Sequence, residues 1–313
     1  MNISEIILII VGLALFEIIS SIDNAVVNAE VLSTMSAKGR RWFLLYGLFF
    51  AVFVVRGLLP LLIVWASVPS LGLAGSFMAA FSSDALVQDT IEASAPILLA
   101  GGGIYLIYLF LHWLFVEDKE YAFFLEKRIH HHFSFWFHTA SSIVLLGIVW
   151  ITVPLNPLIA IGAVVGSTAF FITNGFKSNA EEKEQELMHS HASTISKIIY
   201  LELIDATFSI DGVLGAFAFT TAVPLILIGN GLGALIVRSI TIHGTETVKK
   251  YRYLKNGAMY SIGLLGGIMV LEAIGRHPAL WIPPLTTVLV VGLFFWLSHR
   301  EMEMKGATKK PRK

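Results

Sequence analysis

The chain has 313 residues, of which 56% are hydrophobic and only 14% charged, with a mean hydropathy of +0.75. This composition excludes a soluble globular domain and fits an all-α, polytopic membrane protein. The formal net charge is +0 and Cys is absent, which excludes disulfides, thiolate metal sites and cysteine nucleophiles together.

Read in chain order, the apolar runs predict nine spans near residues 4–32, 43–66, 95–116, 138–153, 156–175, 197–219, 223–243, 257–275 and 279–298. The opening Met1-Asn-Ile-Ser-Glu5 lacks a cationic region, so the first span reads as a retained transmembrane helix rather than a cleaved leader. Asp84, Asp89 and Glu92 fall in a loop over 67–94 that reads as an ordinary exposed connection. Gly101-Gly-Gly103 opens the third span and has no phosphate-loop context, so it reads as a site of close helix packing. Pro154-Leu-Asn-Pro157 makes a tight hairpin of the fourth and fifth spans, unless 138–157 is re-entrant. A polar connector follows, with the run Glu181 to Glu186. His130, His131, His132 and His138, with His189 and His191, read as loop histidines. A metal- or pH-sensing role is the less favoured reading of them.

Basic residues set an orientation. Nineteen of the 22 Lys and Arg lie in alternate loops and the C-terminal tail, on one side of a nine-span chain. The positive-inside rule then predicts an outside N-terminus and a cytoplasmic C-terminus. Arg276 alone lies in the opposite loops, and Arg56 and Arg238 lie inside spans.

Charges inside the spans recur in a pattern. Glu17-Ile-Ile-Ser-Ser-Ile-Asp23-Asn24 returns as Asp205-Ala-Thr-Phe-Ser-Ile-Asp211-Gly212, at a constant spacing of 188. The stretch from Gly47 to Arg56 aligns without gaps on the stretch from Gly229 to Arg238. Each half thus has a carboxylate helix followed by an arginine helix. Five spans separate the two, so the repeats are inverted, as in many secondary transporters. Residues 1–175 form the first repeat with an extra hairpin, 176–196 a cytoplasmic connector, 197–298 the second repeat and 299–313 a basic tail. A carboxylate in hydrocarbon costs about 2.5–3.5 kcal/mol on insertion scales, and such residues usually mark ion pathways.

At about 100° per residue, Glu17, Ser20, Ser21, Asn24 and Asn28 share one stripe, as do Glu202, Asp205, Ser209 and Gly212. Asp23 and Asp211 lie off these stripes. Either they face other helices, including Arg56 or Arg238, or the helices unwind near Asn24 and Gly212 and bring carboxylates and carbonyls together. Five intramembrane carboxylates against two arginines leave three negative charges, which calls for a bound cation, protonation or both. The oxygen-only donor set Glu17, Asp23, Asn24, Glu202, Asp205 and Asp211 suits Mn²⁺, Ca²⁺ or Mg²⁺ over Zn²⁺ or Cu⁺. Ser20, Ser21, Asn28 and Ser209 read as supporting polar groups, and Ser20 and Asn28 serve equally well as helix-to-helix hydrogen bonders.

The paired motifs, their arginines and the nine-span layout resemble the TerC family within the LysE-type transporter superfamily. The resemblance implies efflux of a divalent metal, Mn²⁺ first. By motif match it places Glu17, Asp23, Asn24, Asp205 and Asp211 at the metal. The expected substrate is thus the cation itself, with no covalent cofactor and no nucleic acid. Membrane lipid and a second copy of the chain are the other expected partners. A non-transporting component of a metal or tellurite stress complex and an intramembrane enzyme are the rival readings. An enzyme is disfavoured by the absence of Gly-x-Gly-Asp and His-Glu-x-x-His motifs.

Overall fold

The computed structural model describes residues 2–47, 49–50, 54, 56–67, 72–81, 85–117, 119, 134–189, 193–243 and 250–308, all helix, turn or connection. The first half contains α1 (Ile3–Ser20), α2 (Ile22–Ser33), α3 (Ala37–Trp42), a π-helical turn π1 (Phe43–Gly47), α4 (Arg56–Ser67), α5 (Gly72–Phe81) and α6 (Ala85–Phe115). The hairpin follows as α7 (Ser134–Thr152) and α8 (Pro157–His189). The second half contains α9 (Thr194–Ala216), α10 (Val223–His243), α11 (Leu254–Ala273) and α12 (Ile282–Thr308).

Among the described residues seven stretches are long and apolar enough to cross a membrane: Ile3–Ser20, Ala93–Phe115, Phe135–Thr152, Pro157–Asn179, Val223–Ile242, Leu254–Ala273 and Ile282–Met304. The protein is therefore an all-α polytopic membrane protein. The predicted sixth span is α9, a 23-residue helix. It carries Lys197, Glu202, Asp205 and Asp211 and is too charged to count as apolar. The predicted second span corresponds to π1 and α4, with part of the segment between them outside the described residues.

Several sequence expectations change here. The first span is two helices, because α1 ends at Ser21, which has φ −102° and ψ 3°. Ser20 Oγ bonds back to the Glu17 carbonyl at 3.2 Å, and the Ser21 amide donates to the same carbonyl at 3.1 Å. Such local serine bonds compete with helix continuation. α9 instead runs unbroken through Gly212. The stretch 138–157 is not re-entrant in form, since α7 is a regular 19-residue helix. The connector is not a separate unit either, because α8 extends 33 residues to His189. Part of the supposed loop 67–94 is α5 and the start of α6.

Packing is densest around α6. A Cβ at Gly101 would stand 2.9 Å from the Gly162 carbonyl, and one at Gly103 2.9 Å from the Gly266 carbonyl. Backbone therefore meets backbone where α6 crosses α8 and α11, the usual role of small residues between membrane helices. Fully buried Leu13, Phe16, Ile104, Tyr105 and Leu265 fill the space between these helices. The outer surface is the reverse of a soluble protein's, with Trp150 79% and Ile143 64% exposed, as lipid-facing side chains are.

Candidate functional site

α1, α4 and α9 bring three charges together. Glu17 is completely buried, and Arg56 and Asp205 are nearly so. Arg56 donates to Glu17 Oε1 through Nη2 at 2.6 Å and Nε at 2.9 Å, and its Nη1 reaches Asp205 Oδ2 at 3.3 Å. One guanidinium thus ties the carboxylate of the first repeat to its counterpart in the second. Ser21 adds a hydroxyl bond to Glu17 Oε1 at 3.0 Å. Space for the Glu17 side chain exists because two glycines face it. A Cβ at Gly212 would lie 2.5 Å from Glu17 Oε2, and one at Gly233 2.5 Å from Glu17 Cβ.

Arg238 on α10 is held differently. Its nearest carboxylate oxygen is Glu202 Oε1 at 3.7 Å, and it donates to the Phe43 carbonyl of π1 at 3.4 Å. Its guanidinium lies over the Phe43 ring, 3.9 Å from the centroid, a cation–π contact. Gly47 makes room here, because a Cβ on it would overlap Glu202 Oε1. Between the two arginines is a cavity of about 20 Å³ lined by Asn28, Arg56, Asp205, Arg238 and Thr241. That volume holds a single water-sized species.

The polar atoms here are unevenly satisfied. Glu17 Oε2, Asn28 Oδ1, both Glu202 oxygens and Asn230 Oδ1 are buried without a hydrogen-bond partner, as is the donor Arg238 Nε. Buried polar groups are normally paired, so an excess of bare acceptors marks a place for a cation or a proton.

Asp211 belongs to a separate group. It is a buried residue that pairs with Lys177 of α8 through Oδ2 and accepts a bond from the Tyr105 hydroxyl of α6 through Oδ1. The Tyr105 oxygen lies 3.0 Å from the Thr173 hydroxyl. Because α9 is straight, Asp211 turns away from the Asp205 stripe and meets α6 and α8. Its expected place beside Asp205 at a central ion is therefore corrected. Lys177 was expected in a cytoplasmic loop, and it also adds a third positive charge. With Lys177 counted, the five carboxylates of the sequence tally, Asp23 included, stand against three cations and leave two negative charges rather than three.

The side chains of Asp23 and Asn24 lie outside the described residues, as do His130, His131, His132 and His191. Ser20 and Ser209 bond carbonyls of their own helices, Ser209 to Asp205 at 2.5 Å, and present no free hydroxyl proton to a ligand. Asn28 lines the cavity. Among the described residues no three carboxylate or histidine side chains converge as a ready-made metal cage. His138 is on α7, stacked on Phe171, rather than in a loop. Sequence reasoning missed Lys177, Tyr105, Asn230 and Thr241. Only Lys177 left a signal, a cation at the end of an apolar stretch.

Outside the spans, Glu117 follows the end of α6 between His112 and Lys255, with Lys255 Nζ at 3.0 Å. Burial pushes its carboxyl up, but the hydrogen bond from His112 and the Lys255 ammonium outweigh burial and hold it at about 2.

Comparison with known proteins matches residues 22–304 to the family described as Protein of unknown function (DUF475). The chain belongs to the DUF475 family. This overturns the resemblance to TerC, because the duplicated Ser-Ile-Asp motif that carried it is too short to define a family. The chain is also 29% identical over 104 residues to the uncharacterized membrane protein YceF of Bacillus subtilis (strain 168). That stretch covers 31% of this DUF475 chain and 40% of the relative, well short of its full length. No solved structure matches.

Proposed function

We propose that this DUF475 protein carries a divalent cation across the membrane, using Glu17, Asp205 and Glu202 as its charged ligands. The observation that carries the reading is the set of five buried acceptor oxygens without donors, on α1, α2, α9 and α10, one of which, Asn28 Oδ1, belongs to the lining of the cavity of about 20 Å³. A cation needs such oxygens, and Asn28 offers a neutral one at the cavity. Manganese as the favoured ion and export as the direction came with the TerC resemblance and go with it. The basic loops support an outside N-terminus and a cytoplasmic C-terminus in a bacterial inner membrane.

One feature favours a second reading. Arg56 saturates Glu17 Oε1, as a purely structural ion pair would, and this suits a membrane component that moves nothing. Purified protein in liposomes, challenged in turn with Mn²⁺, Mg²⁺ and Ca²⁺ over an internal pH dye, separates the two. Transport predicts flux of at least one metal and its loss in Asp205→Asn. Absence of flux for every ion tested sinks the transport reading.

A further inference from the structure

Arg56 and Arg238 occupy equivalent places in the two repeats but do unequal things. Arg56 makes three bonds to two carboxylates. Arg238 is loosely placed against Glu202, and its Nε has no partner. Both nevertheless line the same small cavity, and Asp205 is the carboxylate that lines it with them. In a protein built from inverted repeats, such asymmetry defines one state, and exchanging the roles of the repeats defines the other.

The geometry points to a hand-over of Asp205 from Arg56 to Arg238 through the cavity between them. In the structure described, Asp205 is shared with Glu17 through Arg56, whose Nη1 reaches it at 3.3 Å, farther than its two bonds to Glu17 at 2.6 and 2.9 Å. In the exchanged state Arg238 leaves Glu202 and the Phe43 carbonyl and bonds Asp205, while Arg56 keeps Glu17. The guanidinium crosses a space already sized for a water molecule, and its unpartnered Nε supplies the donor. Glu202 is then left without its arginine, open to a cation. The exchange gives the transport reading its moving part and rests on that reading for its purpose. Its existence is a property of the arginines and can be tested without any flux.

The experiment uses the full chain in lipid nanodiscs with ¹⁵N-labelled arginine, following the Nε–H signals by relaxation dispersion. The Arg238 signal is assigned by its loss in Arg238→Lys. The expected result is microsecond-to-millisecond exchange at Arg238 Nε between an unbonded and a carboxylate-bonded position. Asp205→Asn should abolish this exchange and leave one sharp line. A single, non-exchanging Arg238 signal in the unmodified chain overturns the inference. So does exchange that persists unchanged in Asp205→Asn. Flux without exchange would leave transport standing and remove the hand-over. Exchange without flux would do the opposite.

Discussion

Asp205 and Asp211 stand on one unbroken helix, about 9 Å apart along its axis. Asp205 is joined to a neighbouring repeat by an arginine and faces a cavity. Asp211 is closed off by the Lys177 ammonium and the Tyr105 hydroxyl. Two identical side chains thus have opposite availability, and the difference comes from the helices that face them. In a carboxylate-rich membrane layer, the position of the cations decides which acid can serve a ligand.

The sharpest way to break this contrast is to remove the arginine on the Asp205 side. Arg56→Ala leaves Glu17 wholly buried with only the Ser21 hydroxyl bonded to its carboxylate, and breaking such a pair costs about 3–5 kcal/mol. Thermal unfolding in micelles should show a large loss of stability or of folded yield. Arg276→Ala, at an exposed position, should leave both unchanged. Equal melting of the two variants would mean that the Glu17 cluster does not hold the repeats together.

A smaller effect is expected on the Asp211 side. Asp211→Asn strips Lys177 of its counter-charge and should cost about 1–3 kcal/mol. Lys177→Met in the same chain should return much of that loss, because the two residues act as one pair. Additive losses in the double variant would show that the ion pair is not energetically coupled.

The smallest effect lies outside the membrane, at Glu117. Its folded pKa of about 2 is below the ordinary 4.5, so its stabilisation is complete above the ordinary value and is lost as pH falls toward about 2. Glu117→Gln should therefore lower stability at neutral pH, leave it nearly unchanged near pH 2, and so flatten the acid limb of the stability curve between these values. An unchanged acid limb would show that the Lys255 and His112 contacts contribute nothing.

Membrane class and the burial of Arg56 and Arg238 were legible in the sequence, because hydropathy and misplaced charge are local signals. The motif pair spoke to duplication and misled on family. The break at Ser21 was not legible, since two adjacent serines are common in unbroken membrane helices and turn-prone Asn24 drew the eye. Nor was the partner of Asp211. Its angle off the stripe allowed another helix as one of two readings, but Lys177 counted as a loop residue, whereas α8 continues through it to His189. Partners that arrive from distant helices leave no trace in spacing.

The glycine contacts of α6 divide the molecule mechanically. Where Gly101 meets Gly162 and Gly103 meets Gly266, backbone comes against backbone amid close-packed core side chains, so α6, α8 and α11 have little room to slide or tilt against one another. The helices around the arginine cavity are separated by long, rotatable side chains and a π-helical turn instead. If the chain transports as proposed, its working stroke falls among α1, α2, α4, α9 and α10, with an amplitude set by the reach of a guanidinium rather than by the swing of a domain.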